Sequence, residues 1–189
     1  MKPNNTKKLV YSALFLALAL VLPFLTGQIQ TFGQMLAPMH LPVLLCGFVC
    51  GPVWGLAVGA VAPLLRSLLF SMPPMFPTAV AMAFELAAYG AIAGFLYQRS
   101  RWQCLLSLYR ALLIAMVGGR VVWGVVRVAL TGVAGEAFTW ELFMAGAFFN
   151  AVPGIVLQLV FIPALMVALD RTGMVRFSRN RPAVPAAGD

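Results

Sequence analysis

Four ionisable residues lie inside long apolar segments of this sequence, namely Arg66, Glu85, Arg120 and Arg127. An ionised side chain in an apolar membrane interior costs about 2.5–3.5 kcal/mol on insertion scales, so such residues usually mark a pathway or a pocket. Three guanidinium groups against one carboxylate leave excess positive charge, and a guanidinium matches the shape of a carboxylate or a phosphate. The pattern therefore favours binding of a small anion.

Two structural alternatives stay open for these residues. Glu85 could neutralise Arg120 and serve only to fix the packing of two helices, because interior polar groups bind helices to one another in membranes. Arg110, nearer the end of its segment, is typical of a side chain that extends toward the membrane surface. Asn150 and Gln158 share one helical face with Gly154 and add uncharged polarity to the same half of the protein.

The composition requires a membrane environment for the elements that carry these residues. Of the 189 residues, 62% are hydrophobic and only 10% are charged, whereas a soluble domain carries roughly 25% charged residues. This excludes a soluble enzyme, a coiled coil and a disordered regulator. We predict an all-α, polytopic membrane protein with one domain over residues 1–171.

Charge distribution predicts the number and direction of the spans. Basic residues precede the first apolar run, separate two middle runs at Arg99 and Arg101, and follow the last. If these clusters share the cytoplasmic side, an even number of spans must separate them. The run from Leu41 to Phe70 must then be broken, and Gly51-Pro52 provides a break because proline disfavours helix in the residue before it. We predict a six-helix bundle with both termini inside and spans at about 8–25, 41–50, 53–70, 78–97, 105–130 and 140–169.

The segments between and after the spans differ in character. The predicted outer loops 26–40, 71–77 and 131–139 contain no lysine or arginine, in agreement with the positive-inside rule. The first ends at His40 and is rich in amide side chains, and the second carries methionine and phenylalanine, so together they could close over a pocket. His40 could equally be a capping or interfacial residue. The basic tail 172–189 is predicted to be disordered.

Other functional classes find little support. The basic residues are accounted for by topology and are not interleaved with aromatic residues, so nucleic-acid binding is not expected. Cys46 and Cys50 have helical spacing, but a metal site needs three or four ligands, so we expect no metal. The sequence lacks the common hydrolase motifs and an ATP-binding Walker A motif, and we expect neither enzymatic activity nor a cofactor.

A series of motifs follows in order along the chain, namely Met39-His-Leu-Pro-Val-Leu-Leu-Cys-Gly47, Gly51-Pro-Val-Trp-Gly55, Pro63-Leu-Leu-Arg66 with Met72-Pro-Pro74, Met82-Ala-Phe-Glu-Leu-Ala-Ala-Tyr-Gly90, Gly119-Arg120 and Pro153-Gly-Ile-Val-Leu-Gln158. Over roughly residues 8 to 170 this series resembles the substrate-binding S components of energy-coupling factor (ECF) vitamin transporters. As a series the motifs are fairly specific, whereas no single motif is.

The resemblance implies a subunit that captures a vitamin or related micronutrient from outside and works with a transmembrane coupling subunit and two cytoplasmic ATPases. Its first helix would dock the coupling subunit through an Ala-x-x-x-Ala pattern, which Ala13 and Ala17 match. Substrate would lie under the loops 26–40 and 71–77, against helices four to six. The predicted substrate-binding residues are Arg66, Glu85, Arg120, Arg127, Asn150, His40, Tyr89, Trp123 and Gln158.

Excess arginine favours pantothenate as the substrate, with Arg66, Arg120 and Arg127 including the carboxylate clamp. Pyridoxine-type compounds, folate, queuosine precursors and cobalamin stay open. The alternatives to such a subunit are a self-sufficient secondary permease for a small organic anion and, behind it, a membrane enzyme or assembly factor. In each case the predicted location is the cell membrane, with the chain passing through the lipid bilayer several times.

Overall fold

The computed structural model describes residues 5–25, 38–100, 103–133 and 152–171, and within these ranges it contains six α-helices and no strand. The helices are α1 (Asn5–Leu25), α2 (His40–Cys50), α3 (Pro52–Phe70), α4 (Val80–Arg99, entered through a π-helical turn at Met75–Ala79), α5 (Leu105–Val133) and α6 (Val152–Arg171). Five of them are long and apolar enough to cross a membrane, and α2 is the shorter one. The all-α class is confirmed, while the orientation of the two termini stays a prediction.

The break predicted at Gly51-Pro52 is present and separates α2 from α3. Gly51 has φ 105°, a backbone conformation that residues with a side chain rarely adopt. Its amide still donates to the carbonyl of Gly47 over 3.0 Å, which completes the last turn of α2. Pro52 then starts α3, where its missing N–H would have no helical partner. At 11 residues, α2 is about 16 Å long, roughly half of the ~30 Å hydrocarbon core.

Helix α4 is the central element, with extensive contacts to α2, α3 and α5. Glycines allow three of these helices to approach closely. A Cβ added to Gly47 of α2 would lie 2.5 Å from the carbonyl oxygen of Gly90 of α4, and one added to Gly55 of α3 would lie 2.7 Å from that same oxygen. These glycines therefore act in internal packing, as small residues do between membrane helices.

The helix contacts define two ends of the bundle. At one end the Ser12 hydroxyl donates to the carbonyl of Lys8 over 2.7 Å and receives a 3.7 Å contact from the Cys46 thiol. Gly51 lies against the side chain of Gln98 at the same end. The described basic residues at the helix ends here are Lys7, Lys8, Arg99 and Arg171. We call this the basic end, and the opposite one the far end.

Several predicted segments lie outside the described residues. These are most of the first predicted loop (26–37), the start of the predicted last span and the loop before it (134–151), and the tail (172–189). In the predicted loop 71–77 the short segment Met75–Ala79 precedes α4, but Phe76 within it has extended backbone, with φ -119° and ψ 136°. Continuous helix therefore begins only after Phe76, close to residue 78, where the hydropathy pattern places the start of the span.

Candidate functional site

A buried ion pair joins α4 to α5 in the far half of the bundle. Nη1 of Arg120 lies 3.0 Å from Oε1 of Glu85, and the side chains are 14% and 2% exposed. The pairing of Glu85 with Arg120, which the sequence offered as a purely structural alternative, is thus present in the structure. In a medium of low dielectric constant such a pair is held strongly, and each partner removes the need for another counter-ion.

Two aromatic side chains extend this pair toward α2. Nε2 of His40, the first residue of α2, lies 3.5 Å from Oε1 of Glu85. The His40 ring makes an edge contact with the ring of Tyr89, with 5.1 Å between the centroids. Tyr89 follows Glu85 by one helical turn, so both project from the same face of α4. His40, Glu85, Tyr89 and Arg120 form what we call the polar cluster.

Local sequence explains why three helices can bring these groups together. A Cβ on Gly119 would lie 3.1 Å from the Tyr89 ring, so glycine at this position lets α5 approach α4 beside Arg120. Every residue from His40 to Phe48 is buried, because α2 is enclosed by its neighbours. The polar cluster is therefore placed by rigid helices and not by loops, which favours a preformed site.

Arg127 occupies a separate position nearer the far end. Its Nη1 donates to the hydroxyl of Thr78, in the π-helical turn before α4, over 3.3 Å. The side chain is half-buried. Among the described residues it has no carboxylate within ion-pair distance. Its positive charge is therefore not neutralised by the part of the chain that the structure describes.

Arg66 is directed toward α1 and is 5% exposed. Its Nη1 donates to the backbone carbonyl of Leu20 over 2.7 Å. The guanidinium lies 5.1 Å from the ring centroid of Phe24 and 5.6 Å from that of Phe70. This cation–π arrangement stabilises a buried cation without a counter-ion. The structure thus gives each of the three arginines a different partner, and their participation in one carboxylate clamp stays a prediction.

Three predicted site residues remain, of which one lies on α5, one on α6 and one outside the described residues. Gln158 of α6 is 2% exposed, and its Oε1 has no hydrogen-bond partner within the described ranges. Trp123 lies on α5 one turn beyond Arg120 and is half-buried. Asn150 lies outside the described residues. The role of these three residues in binding stays a prediction.

The arrangement is suited to binding and orienting a polar molecule. The ion pair carries no net charge, while Nε of Arg120 and Oε1 of Gln158 are a buried donor and a buried acceptor that lack partners among the described residues. Buried polar groups are normally hydrogen-bonded, so unpaired ones need an explanation, and a ligand is one. The described ranges contain no group of three or more residues that could hold a metal ion.

The two alanines predicted to dock a partner lie on the outward face of α1. Ala13 and Ala17 are exposed, and so are Val10, Leu14 and Val21 around them. The opposite face, with Ser12 and Phe15, is buried in the bundle. This places a flat, small-residue stripe where another apolar helix could approach it, although the docking itself is untested.

Sequence reasoning did not identify the partners of Arg66 and Arg127. Pro23 leaves the carbonyl of Ala19, four residues before it, without its helical amide donor. It therefore signals a freed carbonyl in this turn, but one residue away from the Leu20 carbonyl that accepts from Arg66. Thr78 gave no such signal, because a threonine beside a proline is common in any helix start.

Comparison with known proteins gives one family-level result. The family model described as "ECF transporter, substrate-specific component" matches residues 7–167 of the 189. No curated protein matches the chain significantly. The matched range contains every described helix except the first two residues of α1 and the last four of α6.

Proposed function

This chain belongs to the substrate-specific components of ECF transporters, and from this membership we propose that it captures a vitamin or related micronutrient at the far end of its helix bundle. As a member of this family it is a multi-pass membrane protein that binds a small-molecule substrate and works with an ECF module. The family is a transport component and not a group of enzymes.

The observation that carries the proposal is the polar cluster. His40, Glu85, Tyr89 and Arg120 come from three helices and meet in the interior of the far half. A cluster that served helix packing alone would have its polar atoms paired, whereas Nε of Arg120 lacks a hydrogen-bond partner among the described residues. A substrate hydroxyl or amide oxygen would accept from this donor.

Pantothenate is the substrate we favour, because it combines one carboxylate with hydroxyl and amide groups. In our proposal the carboxylate binds Arg127, whose charge is not neutralised by a described acid, and the neutral polar groups bind the cluster. Gln158, Trp123 and Asn150 would complete the wall of the site. Arg66 would act on the site through α1, given its contacts with Leu20 and Phe24. Pyridoxine-type compounds, folate, queuosine precursors and cobalamin are the other candidates.

The proposed partners are a transmembrane coupling subunit and two cytoplasmic ATPases, in the cell membrane, with both termini of this chain inside. The exposed stripe of Ala13 and Ala17 on α1 supports docking of the coupling subunit there. The location of Lys7, Lys8, Arg99 and Arg171 at one end of the bundle supports the orientation, since basic residues are enriched on the cytoplasmic side.

Native mass spectrometry of the purified full chain tests substrate capture directly, because a tightly bound molecule is retained and can be identified by its mass. Binding titrations with pantothenate and the other candidates then rank them. We expect Glu85→Ala and Arg120→Ala to weaken binding, and the same substitution at the exposed Arg110 to leave affinity unchanged. Unchanged binding in Glu85→Ala, Arg120→Ala and Arg127→Ala together would reject the site. Uptake into liposomes without any ATPase would instead indicate a self-sufficient permease.

A further inference from the structure

A cavity of about 520 Å³ lies between the start of α5 and the second half of α6, far from the polar cluster. Its lining residues are Leu105, Tyr109, Val160, Pro163, Ala164, Val167, Ala168 and Arg171. All but Tyr109 and Arg171 are wholly apolar, and these two stand at the basic end of the bundle. We call this feature the α5–α6 groove.

Small side chains form the floor of the groove. Ala164 and Ala168 are exposed and one helical turn apart on α6, between the larger Val160 and Arg171. Among the described residues, α5 and α6 also pack less extensively than α4 and α5 do, which leaves this space between them. A lateral opening between membrane spans faces lipid and not water.

The length of the groove matches one leaflet of a bilayer. From Val160 to Arg171 is about 16 Å along a helix, which is close to half of the ~30 Å hydrocarbon core. Helix α6 begins at Val152 and ends at Arg171, so Val160 lies near its middle. The groove thus extends from the middle of the membrane to the surface at the basic end, as a lipid chain does.

Charge at the mouth of the groove selects the headgroup. The exposed Arg171 ends α6 and lines the groove at this end. A guanidinium binds a phosphate through two parallel hydrogen bonds. Basic pockets between membrane helices are known to bind anionic lipid headgroups. The tyrosine at position 109 adds an aromatic ring with a hydroxyl, a side chain favoured at membrane surfaces.

We propose that the α5–α6 groove is a binding site for one anionic phospholipid of the leaflet at the basic end, with an acyl chain along Ala164 and Ala168 and the phosphate on Arg171. The site is independent of substrate capture, since none of its lining residues belongs to the polar cluster. A neutral lipid would fill the same apolar space but would lack the phosphate–arginine attraction, which is worth about fivefold in affinity per basic residue.

The test uses the full-length protein in detergent, supplied with equal amounts of phosphatidylglycerol and phosphatidylcholine and examined by native mass spectrometry. We expect one retained lipid per chain, with phosphatidylglycerol preferred about fivefold. Arg171→Gln should bring the preference close to unity without removing the lipid. Ala164→Phe and Ala168→Phe should remove the retained lipid whichever headgroup it carries.

Two matched variants control for general effects. Arg99→Gln removes another exposed arginine at the basic end, one that lies 5.6 Å over the ring of Phe95. Ala57→Phe enlarges an exposed alanine on α3. Both should bind lipid as the wild type does. The proposal is overturned if the wild type retains no lipid. It is equally overturned if headgroup preference is absent, or if Arg99→Gln abolishes the preference as Arg171→Gln does.

Discussion

Glu85 and Arg120 face each other from neighbouring helices, with 3.0 Å between Oε1 and Nη1 and with the carboxylate almost fully buried. Each charge is compensated chiefly by the other, because the surroundings are apolar side chains and lipid. The pair therefore links the stability of the α4–α5 contact to the chemistry of the polar cluster. Removing one partner and removing both should have very different consequences.

We expect Glu85→Gln to lower the free energy of unfolding by about 3–5 kcal/mol, because it leaves the Arg120 guanidinium buried without a counter-charge. The double variant Glu85→Gln/Arg120→Gln should lose less than the single variant, since no uncompensated charge remains. Thermal unfolding in detergent, followed by tryptophan fluorescence, measures both. Arg110→Gln, at an exposed position on α5, is the control and should change stability little. If the double variant loses as much free energy of unfolding as the two single variants together, the two residues act independently.

Arg127 should determine the affinity for the charged part of the substrate. Replacing it with alanine removes a charge-assisted hydrogen bond worth about 1.5–3 kcal/mol, which corresponds to a loss of roughly 10- to 150-fold for a carboxylate-bearing ligand. Calorimetric titration with pantothenate and with its uncharged alcohol analogue, pantothenol, separates charge from shape. We expect Arg127→Ala to weaken the binding of pantothenate and to leave the binding of pantothenol unchanged. Thr78→Val, which removes the 3.3 Å contact but keeps the arginine, should have a smaller effect. Equal losses for both ligands would place the carboxylate elsewhere.

Local chemistry made part of this structure predictable from the sequence. The break at Gly51-Pro52 follows from two residues whose backbone preferences differ from those of all others. The lengths of α1 and α3, 21 and 19 residues, follow from the thickness of the membrane. The pairing of Glu85 with Arg120 could be anticipated as one alternative, since the far half offers few acids.

Tertiary contacts made the rest unpredictable. Nothing in the spacing of Arg66 reveals that its guanidinium lies between Phe24 and Phe70, because these rings are distant in sequence and meet only after α1 packs on α3. Arginine inside a span suggests an anion site, whereas two aromatic faces and a backbone carbonyl also stabilise its charge.

The close approach of α2 to α4 should tolerate no side chain at Gly47. A Cβ there would lie 2.5 Å from the Gly90 carbonyl oxygen, so Gly47→Ala must move backbone against backbone. We expect a loss of about 1–3 kcal/mol or more in stability, together with weaker substrate binding, because His40 belongs to the same helix. Gly132→Ala in α5 is the matched control, since its added Cβ would meet nothing within 4 Å. A wild-type melting temperature for Gly47→Ala would show that α2 can shift without cost.

The outward face of α1 should govern assembly and leave substrate capture intact. Ala13→Leu and Ala17→Leu place bulky side chains on exposed positions, away from the buried face at Ser12 and Phe15. A helix that docks by close approach over small residues loses contact when they are enlarged. We therefore expect the double variant to bind substrate with wild-type affinity but to co-purify poorly with the coupling subunit and to lose ATP-dependent uptake. Ala57→Leu, exposed on α3, should retain both properties. Normal co-purification of the α1 double variant would exclude this face as the docking surface, and a parallel loss of substrate affinity would indicate that α1 had shifted within the bundle.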